Sequence, residues 1–497
     1  MKWIISLFNI RNSFSEGFYR SRYADVCRLL LPLLIPLILA NCQSVPGLET
    51  QTGENLKPVN VESARLSLFL NLKTPNGPSI RYETSSLEVL VDHAWLPLAV
   101  EPPVLDSEKI GAGQLYLGGQ WVAPGTYEGI RFSVTQSSLR RGMENYEVIS
   151  STPYVVELKL PSPRQLAKDE SLSLFLAWDV ERSLENSDNL GPVMTISPPF
   201  RQFLRDLVYV ACPDIDTIFV IRCDKNWVAD SFGITGKPTY IALDQTPAKQ
   251  ILYVLTSRES RIKVVELSSQ RIIDSFSIPL VNNPGFMTIS PDGQSAYVID
   301  ENTNYLSRLD LTTGTLTGRV RLGYQPQYAT YLVGRDLLAV ASVISQNVSF
   351  LDPLNLTEVA SIPAGDSPDG MVVTGNRLYI AESGANTVSI MDIPTFTIQA
   401  RISVGFTPRR LLTIDRQIYV SNYNNGSISV IYPGQLGVGR EISGLTKPLE
   451  MVYDESFRWI YVGDEQKKGL AIIDYATNQL SGYITLGARP LGMAVIQ

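Results

Sequence analysis

The second half of the chain repeats one short segment seven times, at intervals of 40 to 44 residues. Each copy carries the same pair at the same point, in most cases Tyr followed by Val or Ile. The seven pairs are Tyr209-Val210, Tyr253-Val254, Tyr297-Val298, Ala339-Val340, Tyr379-Ile380, Tyr419-Val420 and Tyr461-Val462. A repeat of this length that is made of short β-strands is typical of the blades of a β-propeller.

A second series of residues recurs with nearly the same period and supports this interpretation. It consists of Pro238, Pro284, Pro326, Pro368, Pro408, Pro448 and Pro490, mostly a few residues after a Gly. Pro is tolerated as the first residue of a strand because that residue need not donate a ladder hydrogen bond. We therefore predict that each Pro begins the innermost strand of a blade.

These repeats resemble the YVTN-repeat family of seven-bladed β-propellers, and the resemblance covers residues 207–497. The family signature corresponds here to Tyr419-Val420-Ser421-Asn422, and the Val-Ile-Asp that follows it corresponds to Ile472-Ile473-Asp474. Members of this family are known mainly as extracytoplasmic binding or surface proteins. The resemblance thus implies a binding platform and no turnover.

The ends of the repeat array predict how the ring closes. The array begins in the middle of a blade at Leu207, and it ends after one inner strand at residues 491–496. That last strand has no Tyr-Val partner after it, so we expect it to pair with Tyr209-Val210. Such pairing would hide two sheet edges.

The first 41 residues have the pattern of a lipoprotein-type signal peptide. A basic segment precedes an apolar run over residues 29–40. Twelve residues span about 18 Å as a helix, which is short of the roughly 30 Å core of a bilayer. Leu39-Ala40-Asn41-Cys42 resembles a bacterial lipobox, although Asn41 departs from the usual small residue. Cys42 is therefore the predicted lipidation site, and residues 42–58 form a polar tether.

Gln43 after this cysteine is compatible with sorting to the outer membrane, so the expected location is the bacterial cell envelope. The alternative is ordinary secretion, in which Cys42 has no such role. In either case we expect an extracytoplasmic protein.

Residues 59–200 predict a second all-β domain. Leu66, Leu68, Leu70 and Leu72 alternate with Arg65, Ser67, Phe69 and Asn71, which predicts a strand with one buried face. Pro124-Gly125-Thr126-Tyr127 and the segment around Trp178 are similar to a bacterial lipoprotein domain family with an immunoglobulin or transthyretin-like β-sandwich. Ala177 stands where that family usually has Asp. The predicted fold class is thus all-β, a sandwich followed by a propeller over residues 201–497.

Charge and histidine content limit the function. With 42 basic and 49 acidic residues the net charge is −7, which argues against nucleic acid as a partner. The single histidine, His93, lies outside the repeats and is expected in an exposed turn. Histidine-dependent catalysis and haem or copper cofactors are therefore not expected, and we predict no cofactor. A carboxylate- or metal-dependent, lactonase-like hydrolase at the channel mouth remains the alternative.

Two further features were weighed for chemistry. Cys212 and Cys223 flank the first hairpin, and the predicted register places them too far apart for a direct disulfide. Oxygen-bearing side chains over residues 300–304 could hold calcium, but Asx-type turns explain the same residues. We predict no metal site.

The loops that lead into the inner strands are the predicted ligand site, because they ring one mouth of the channel. They carry more basic than acidic residues, with tyrosines between them. We predict an anionic ligand there, such as an acidic saccharide or a carboxylate-bearing peptide or protein. The candidate residues are Lys237, Tyr240, Tyr328, Asp369, Arg409, Arg410, Glu450 and Arg489. The alternating pattern of a strand further predicts that Arg410 points away from Arg409.

The lipid anchor can be tested in the intact cell envelope. Cys42→Ala should release the protein into soluble fractions, because removal of the acyl chains removes the hydrophobic anchor. Fractionation followed by immunoblotting measures the release. Membrane retention equal to that of the wild type would contradict the lipoprotein prediction.

Overall fold

The computed structural model describes residues 63–74, 79–100, 103–140, 145–185, 191–199, 205–244 and 250–497. The predicted signal peptide, the lipidation site Cys42 and the whole predicted tether over residues 42–58 lie outside these residues. No helix within the described ranges is long and apolar enough to cross a membrane. The fold is all-β, and its only α-helices in these ranges are two short segments.

The described residues before the repeats form ten strands and two short helices. They are β1 (Ala64–Leu72), β2 (Ser79–Val91), β3 (Ala94–Pro97), β4 (Val104–Asp106), α1 (Ser107–Ile110), β5 (Gln114–Val122), β6 (Gly125–Arg140), β7 (Glu147–Ser150), β8 (Tyr154–Leu166), β9 (Ser171–Asp179), α2 (Val180–Glu185) and β10 (Val193–Ser197). One sheet has the order β10-β9-β1-β5, with β1 and β9 parallel. A six-stranded sheet is built around β2 and β6, and both sheets contribute to one hydrophobic core.

Strand β1 differs from the sequence prediction of one buried face, because both of its faces are buried. Leu66 and Leu68 enter the core shared by the two N-terminal sheets. Phe69 points the other way and is fully buried in a second cluster, which contains Val210 and Phe219 of the repeat array. The sequence alternation identified the first face correctly. The second face is buried only because another part of the chain covers it.

The repeats form seven consecutive four-stranded antiparallel sheets within the described residues. The first sheets contain β11 (Leu207–Cys212), β12 (Thr217–Arg222) and β13 (Trp227–Gly233); β14 (Pro238–Leu243), β15 (Ile251–Thr256), β16 (Arg261–Glu266) and β17 (Arg271–Ser277); β18 (Phe286–Ile289), β19 (Ser295–Asp300), β20 (Tyr305–Asp310) and β21 (Leu316–Arg321). The next two contain β22 (Pro326–Leu332), β23 (Leu337–Ser342), β24 (Asn347–Leu351) and β25 (Glu358–Pro363); β26 (Pro368–Thr374), β27 (Arg377–Glu382), β28 (Thr387–Asp392) and β29 (Thr397–Ser403). The last two contain β30 (Pro408–Ile414), β31 (Gln417–Asn422), β32 (Ser427–Ile431) and β33 (Arg440–Ile442); β34 (Pro448–Asp454), β35 (Trp459–Asp464), β36 (Gly469–Asp474) and β37 (Gln479–Thr485). The final strand, β38 (Met493–Ile496), is the fourth strand of the first sheet, beside β11.

The first strands of these sheets contact one another in a closed circle, in the order β14, β18, β22, β26, β30, β34, β38 and back to β14. The circle closes where the two ends of the array meet. Strand β38 pairs antiparallel with β11, with Tyr209 opposite Ala494 and Val210 opposite Met493. The predicted pairing of the last strand with Tyr209-Val210 is therefore confirmed. The arrangement is propeller-like, and the circle of first strands surrounds a central channel.

A buried polar residue ends the second strand of most sheets, and in three of them it accepts a hydrogen bond from the loop that leads into the inner strand of the same sheet. Asp300 Oδ2 accepts a hydrogen bond from the Asn282 amide at 2.6 Å. Asp464 Oδ2 accepts one from the Thr446 amide at 2.8 Å. Glu382 does the same for Gly365, and Cys212 occupies this position in the first copy. Because buried amides need partners, these residues set the path of the loops at one mouth of the channel.

The N-terminal sheets pack on the sheet that closes the circle. The Phe69 ring lies 6.2 Å from that of Phe219 and 5.6 Å from that of Phe175. Hydrogen bonds flank this apolar contact, including one from Trp227 Nε1 to the Ala112 carbonyl at 3.1 Å. The contact therefore joins the N-terminal part of the chain to the two strand ends on which ring closure depends.

The structure shows the surroundings of the two cysteines, of His93 and of the oxygen-rich segment over residues 300–304. Cys212 lies opposite Thr217, the Cys223 amide bonds to the Asp206 carbonyl, and both thiols are free and buried. His93 is exposed in a turn, 2.9 Å from a Glu128 carboxylate oxygen. Asp300 Oδ1 accepts from the amides of Asn302 and Thr303. An Asx-type turn thus involves Asp300, Asn302 and Thr303, while Glu301 and Asn304 contact Gln327 and Gln325.

Ring closure can be tested by deletion and by a single methyl group. Deletion of residues 491–497 should abolish cooperative unfolding, because β11 would lose its partner and two sheet edges would be exposed. Gly492→Ala should destabilise the fold by about 1–3 kcal/mol, since its Cβ would lie 2.7 Å from the Tyr240 Cα. Chemical denaturation measures both effects.

Gly482→Ala is the matched control, because its Cβ would meet no atom within 4 Å. We expect this variant to stay within about 0.5 kcal/mol of the wild type. A truncated chain that still unfolds in one sharp transition would contradict the closure.

Candidate ligand site at the channel mouth

Side chains enter the channel from the two residues that follow each repeated Pro. The second of these residues is aromatic, charged or glycine in every copy. The seven are Tyr240, Phe286, Tyr328, Gly370, Arg410, Glu450 and Gly492. Arg410 on β30 reaches Tyr328 on β22, although β26 lies between these strands in the circle. Contacts that skip a strand show that these side chains project into the centre of the ring.

Three aromatic rings fill one side of the channel. The centroids of Tyr240 and Phe286 are 4.5 Å apart, and those of Phe286 and Tyr328 are 4.4 Å apart. The Arg410 guanidinium lies 5.0 Å from the Tyr328 centroid, within cation–π range. Gly370 provides the space for its neighbours, since a Cβ there would lie 3.0 Å from the Arg410 Cα. This layer narrows the channel with packed side chains.

A continuous set of polar side chains crosses the channel beside the aromatic layer. Asp369 is 2% exposed and binds two arginines: Arg409 Nε donates to it at 2.8 Å, and Arg410 Nη1 donates to its other oxygen. Arg410 Nε also lies 3.4 Å from a Glu450 oxygen. One buried carboxylate therefore neutralises part of the charge of two adjacent guanidinium groups.

The same set of contacts extends to the neighbouring strands. Arg409 Nη2 donates to Gln327 Oε1 at 3.3 Å, and Gln327 Nε2 donates to Glu301 Oε2 at 3.2 Å. We call these six residues the channel network: Glu301, Gln327, Asp369, Arg409, Arg410 and Glu450. Donors and acceptors alternate along the network, so each side chain satisfies part of the hydrogen-bonding capacity of the next one.

The channel changes the proton affinities of its titratable groups. Desolvation raises the pKa of Glu450, and the attraction of Arg410 only partly opposes this effect. Desolvation likewise raises the pKa of Glu301, despite the hydrogen bond from Gln327. Burial disfavours the charged form of Arg410, yet Asp369 and Glu450 raise its pKa overall. Arg410 therefore remains a cation, while the two glutamates take up protons more readily than exposed ones do.

The prediction that Arg410 points away from Arg409 is wrong. Both side chains bind Asp369. The physical reason is a register shift in the pairing of β30 with β31, between Pro408 and Leu411. A bulge of this kind breaks the strict alternation of side chains, so consecutive residues can face the same side.

A second cluster lies at the mouth and centres on the ring of Tyr423. Lys447 Nζ is 4.6 Å from the ring centroid, and the Arg409 Cζ is 5.5 Å from it. Tyr423 Oη donates to Glu465 Oε2 at 2.5 Å, and burial with this hydrogen bond raises the pKa of Tyr423 to about 12. Arg489 lies 3.4 Å from both Glu465 and Asp214. The cluster connects three successive sheets.

Four cations occupy successive positions around the mouth. Arg409 belongs to β30, and Lys447, Arg489 and Lys237 each directly precede the Pro of the next three copies. We call these four residues the basic sector. Within the described part of the chain, neither Lys447 nor Lys237 has a carboxylate within 4.0 Å. Arg409 shares its carboxylate with Arg410. Arg489, in contrast, faces the carboxylates of Asp214 and Glu465, so the unbalanced positive charge of the sector lies at Lys447, Lys237 and Arg409.

The structure separates the eight residues of the predicted ligand site into two groups. Tyr240, Tyr328, Asp369, Arg410 and Glu450 lie inside the channel, Lys237 and Arg489 lie at the mouth, and Arg409 joins the two groups. Sequence reasoning missed Phe286, Gln327, Glu301, Tyr423 and Glu465. Their positions in the repeat could have identified them. Phe286 and Gln327 lie one or two residues after a repeated Pro. Glu301, Tyr423 and Glu465 each lie four residues after a repeated Tyr.

Three carboxylates, from Glu301, Asp369 and Glu450, line the channel, which bears on the hydrolase alternative. Gln327 and the two arginines lie between them and use their oxygens. Among the residues described, no three His, Cys, Asp or Glu side chains form a group that could hold a metal ion. Asp369 and Glu450 are thus paired with arginines, whereas Glu301 accepts one hydrogen bond from the neutral amide of Gln327.

No protein-family model and no curated protein matches the sequence. Solved structures do match. A functionally unknown protein from Desulfotomaculum acetoxidans is 13% identical with a TM-score of 0.53, over 59% of this chain and 99% of that one. The dihydro-heme d1 dehydrogenase NirN is 14% identical with a TM-score of 0.46, over 57% of this chain and 65% of that one. Hydrazine synthase of Kuenenia stuttgartiensis is 14% identical, with a TM-score of 0.44 and coverage of 52% and 89%. The first similarity supports a propeller-like fold and carries nothing about function.

The importance of the shared carboxylate can be measured. Asp369→Ala should destabilise the fold by roughly 3–5 kcal/mol, because it leaves two partly buried guanidinium groups without their common acceptor. Equilibrium denaturation gives the value. Glu157→Ala is the matched control, since Glu157 forms a 3.8 Å pair with Lys159 in which both side chains are exposed. The control should cost less than about 1 kcal/mol. Equal effects of the two substitutions would refute the role of Asp369.

Proposed function

We propose that this chain is a lipid-anchored protein of the bacterial cell envelope that binds an anionic ligand at the mouth of a seven-bladed, YVTN-type β-propeller. The proposed architecture is an immunoglobulin or transthyretin-like β-sandwich over residues 59–200 and the propeller over residues 201–497. The seven-fold sequence repeat and the closed circle of first strands support the propeller. The proposed anchor is Cys42, on the outer membrane, and it rests on the lipobox-like sequence.

The observation that carries the binding proposal is the charge imbalance of the basic sector. Lys447 and Lys237 have no carboxylate partner in the described ranges, and Arg409 shares Asp369 with Arg410. These cations lie around a concave mouth, where converging fixed charges raise the local concentration of an oppositely charged group. A carboxylate-bearing saccharide, peptide or protein loop fits this chemistry.

The donors that remain available favour a ligand between Arg409 and Lys447. Arg409 uses Nε for Asp369 and Nη2 for Gln327, so its Nη1 has no protein acceptor among the residues described. Lys447 Nζ donates one hydrogen bond, to Asn424 Oδ1 at 2.6 Å. Both cations pack on Tyr423, whose contacts with them restrict their positions. Prepositioned donors lose little conformational entropy on binding, which favours affinity.

Binding without turnover is favoured over the lactonase-like hydrolase. Hydrolysis at this site would need a carboxylate free to hold a metal or to act as a base. Asp369 and Glu450 are instead engaged by Arg409 and Arg410. Displacing those contacts would leave buried cations unbalanced. Glu301 keeps one oxygen without a hydrogen-bond partner in the described ranges, but it belongs to no described group of three side chains that could hold a metal ion. The geometry therefore supports a preformed recognition surface.

The binding proposal can be tested with a short oligoglutamate as the probe. Lys447→Gln should weaken binding roughly 3- to 10-fold, because it removes a cation whose charge no neighbouring carboxylate balances. Arg409→Glu should weaken it more, since it reverses a charge. Raising the ionic strength from about 0.01 M to about 0.15 M should also weaken binding by the wild type, as the Debye length falls from about 30 Å to about 8 Å. Calorimetric titration measures these effects.

Lys467→Gln is the matched control. Lys467 Nζ packs on a tyrosine ring as Lys447 Nζ does, 3.7 Å from the centroid of Tyr483 on β37, the fourth strand of its sheet. It lies outside the basic sector and should leave binding unchanged. Binding that is indifferent to Arg409→Glu, Lys447→Gln and salt would place the ligand elsewhere.

A further inference from the structure

A small recess opens at the mouth next to the basic sector, at the end of the channel network. Its volume is about 100 Å³. The lining residues come from the entries to β14 and β18 and from the loops beside them. They are Lys237, Thr239, Ser257, Asn283, Pro284, Gly285, Glu301 and Asn302. Lys237 therefore belongs both to the basic sector and to this recess, which we call the Glu301 recess.

Glu301 has one oxygen committed to the network and one directed at the recess. Oε2 accepts from Gln327 at 3.2 Å. Oε1 has no hydrogen-bond partner in the described part of the protein, and a Cβ on Gly285 would meet it at 2.9 Å. Gly285 is thus the reason that Oε1 has space in front of it. A partly buried carboxylate oxygen without a donor has a desolvation cost that a ligand can offset.

The recess combines opposite hydrogen-bonding roles within a small volume. Glu301 supplies an acceptor, and the ammonium of Lys237 supplies donors. A ligand carboxylate would satisfy Lys237 and be repelled by Glu301, while a ligand ammonium would have the reverse problem. A hydroxyl group both donates and accepts, so adjacent hydroxyls can satisfy Glu301 and Lys237 together. The amides of Asn283 and Asn302 can add further contacts.

The size of the recess agrees with this chemistry. A volume of about 100 Å³ is that of roughly three liquid-phase water molecules, at about 30 Å³ each. The edge of a sugar ring with two neighbouring hydroxyls fits such a space, whereas a whole hexose does not. The remainder of the sugar would lie over the mouth, towards Arg489, which precedes the strand next to β14 in the circle.

We propose that the Glu301 recess binds vicinal hydroxyl groups of a saccharide, and that together with the basic sector it selects an acidic saccharide over an acidic peptide. This inference rests on the proposed function and narrows its ligand class. The carboxylates of the saccharide bind the basic sector, and the hydroxyls of one ring enter the recess. An acidic peptide satisfies the basic sector alone and leaves the recess to water.

The experiment compares three probes of matched length by calorimetric titration: an oligogalacturonate, the same oligosaccharide with methyl-esterified carboxylates, and an oligoglutamate. The wild type should bind the oligogalacturonate at least about tenfold more tightly than the oligoglutamate, because hydrogen bonds to charged groups in the recess favour the hydroxyls. The esterified probe should bind weakly, since it lacks the charge that the basic sector requires.

Two variants change the recess without removing a cation from the basic sector. Glu301→Gln keeps an oxygen for Gln327 and replaces the second oxygen by a donor. Gly285→Ala fills the recess, and Gly482→Ala is its matched control because no atom lies within 4 Å of that Cβ. The first two should lower oligogalacturonate affinity roughly tenfold. Gly285→Ala should leave oligoglutamate affinity unchanged, whereas Glu301→Gln should leave it equal or higher, because it removes a negative charge beside the basic sector. Retained oligoglutamate binding also shows that both variants are folded.

Each other outcome overturns a distinct claim. Equal affinity of the wild type for the two charged probes would overturn the saccharide selection and leave the anionic site standing. The same holds if both recess variants bind oligogalacturonate as the wild type does. A wild type that binds neither charged probe would overturn the proposed function as well. Tighter binding of the esterified probe than of the acid would overturn the role of the basic sector.

Discussion

The pairing of β11 with β38 is the interaction on which the rest of this structure depends. It joins the start of the repeat array to its end, so that the circle of first strands is complete. The strands on either side of each channel residue hold it in place. If the array were open, the side chains of the channel network would no longer be held at contact distance. The N-terminal sheets pack on this same closing sheet through Phe69 and thus add apolar contact at the point of closure.

Charge balance is the second constraint, because a buried ion without a partner is costly and Asp369 and Arg410 are both largely buried in the channel. Arg410 is retained there because Asp369 and Glu450 flank it, and Arg409 because it shares Asp369. Asp369 and Glu450 are thereby committed to the two arginines, whereas Glu301 contacts only the Gln327 amide. The cations at the mouth have fewer carboxylate neighbours than the cations inside the channel. This difference in charge balance is the physical basis of the proposed binding site.

The sequence predicted many of the residues that form the candidate site, but it did not predict which contacts their side chains make. The repeated Pro identified the residues that enter the channel, including Tyr240, Arg410 and Glu450. The sequence could not reveal that Arg409 and Arg410 share one carboxylate, since this depends on a bulge between Pro408 and Leu411. The sequence pattern indicates Glu301 only as part of an oxygen-rich turn, because its proximity to Gln327 arises from contacts between different sheets.

The sequence by itself determined the all-β class, the seven-fold repeat and the pairing of the last strand with the first. Five of the seven repeated Pro residues begin an inner strand as predicted, while Pro284 and Pro490 lie two and three residues before theirs. These features follow from local periodicity and turn chemistry, which neighbouring residues encode. Only the tertiary structure decided that β1 is buried on both faces, which channel charges neutralise one another and which cations at the mouth remain available. Such properties depend on the distance between residues about 40 to 80 positions apart, such as Arg409 and Gln327, and no local pattern contains that distance.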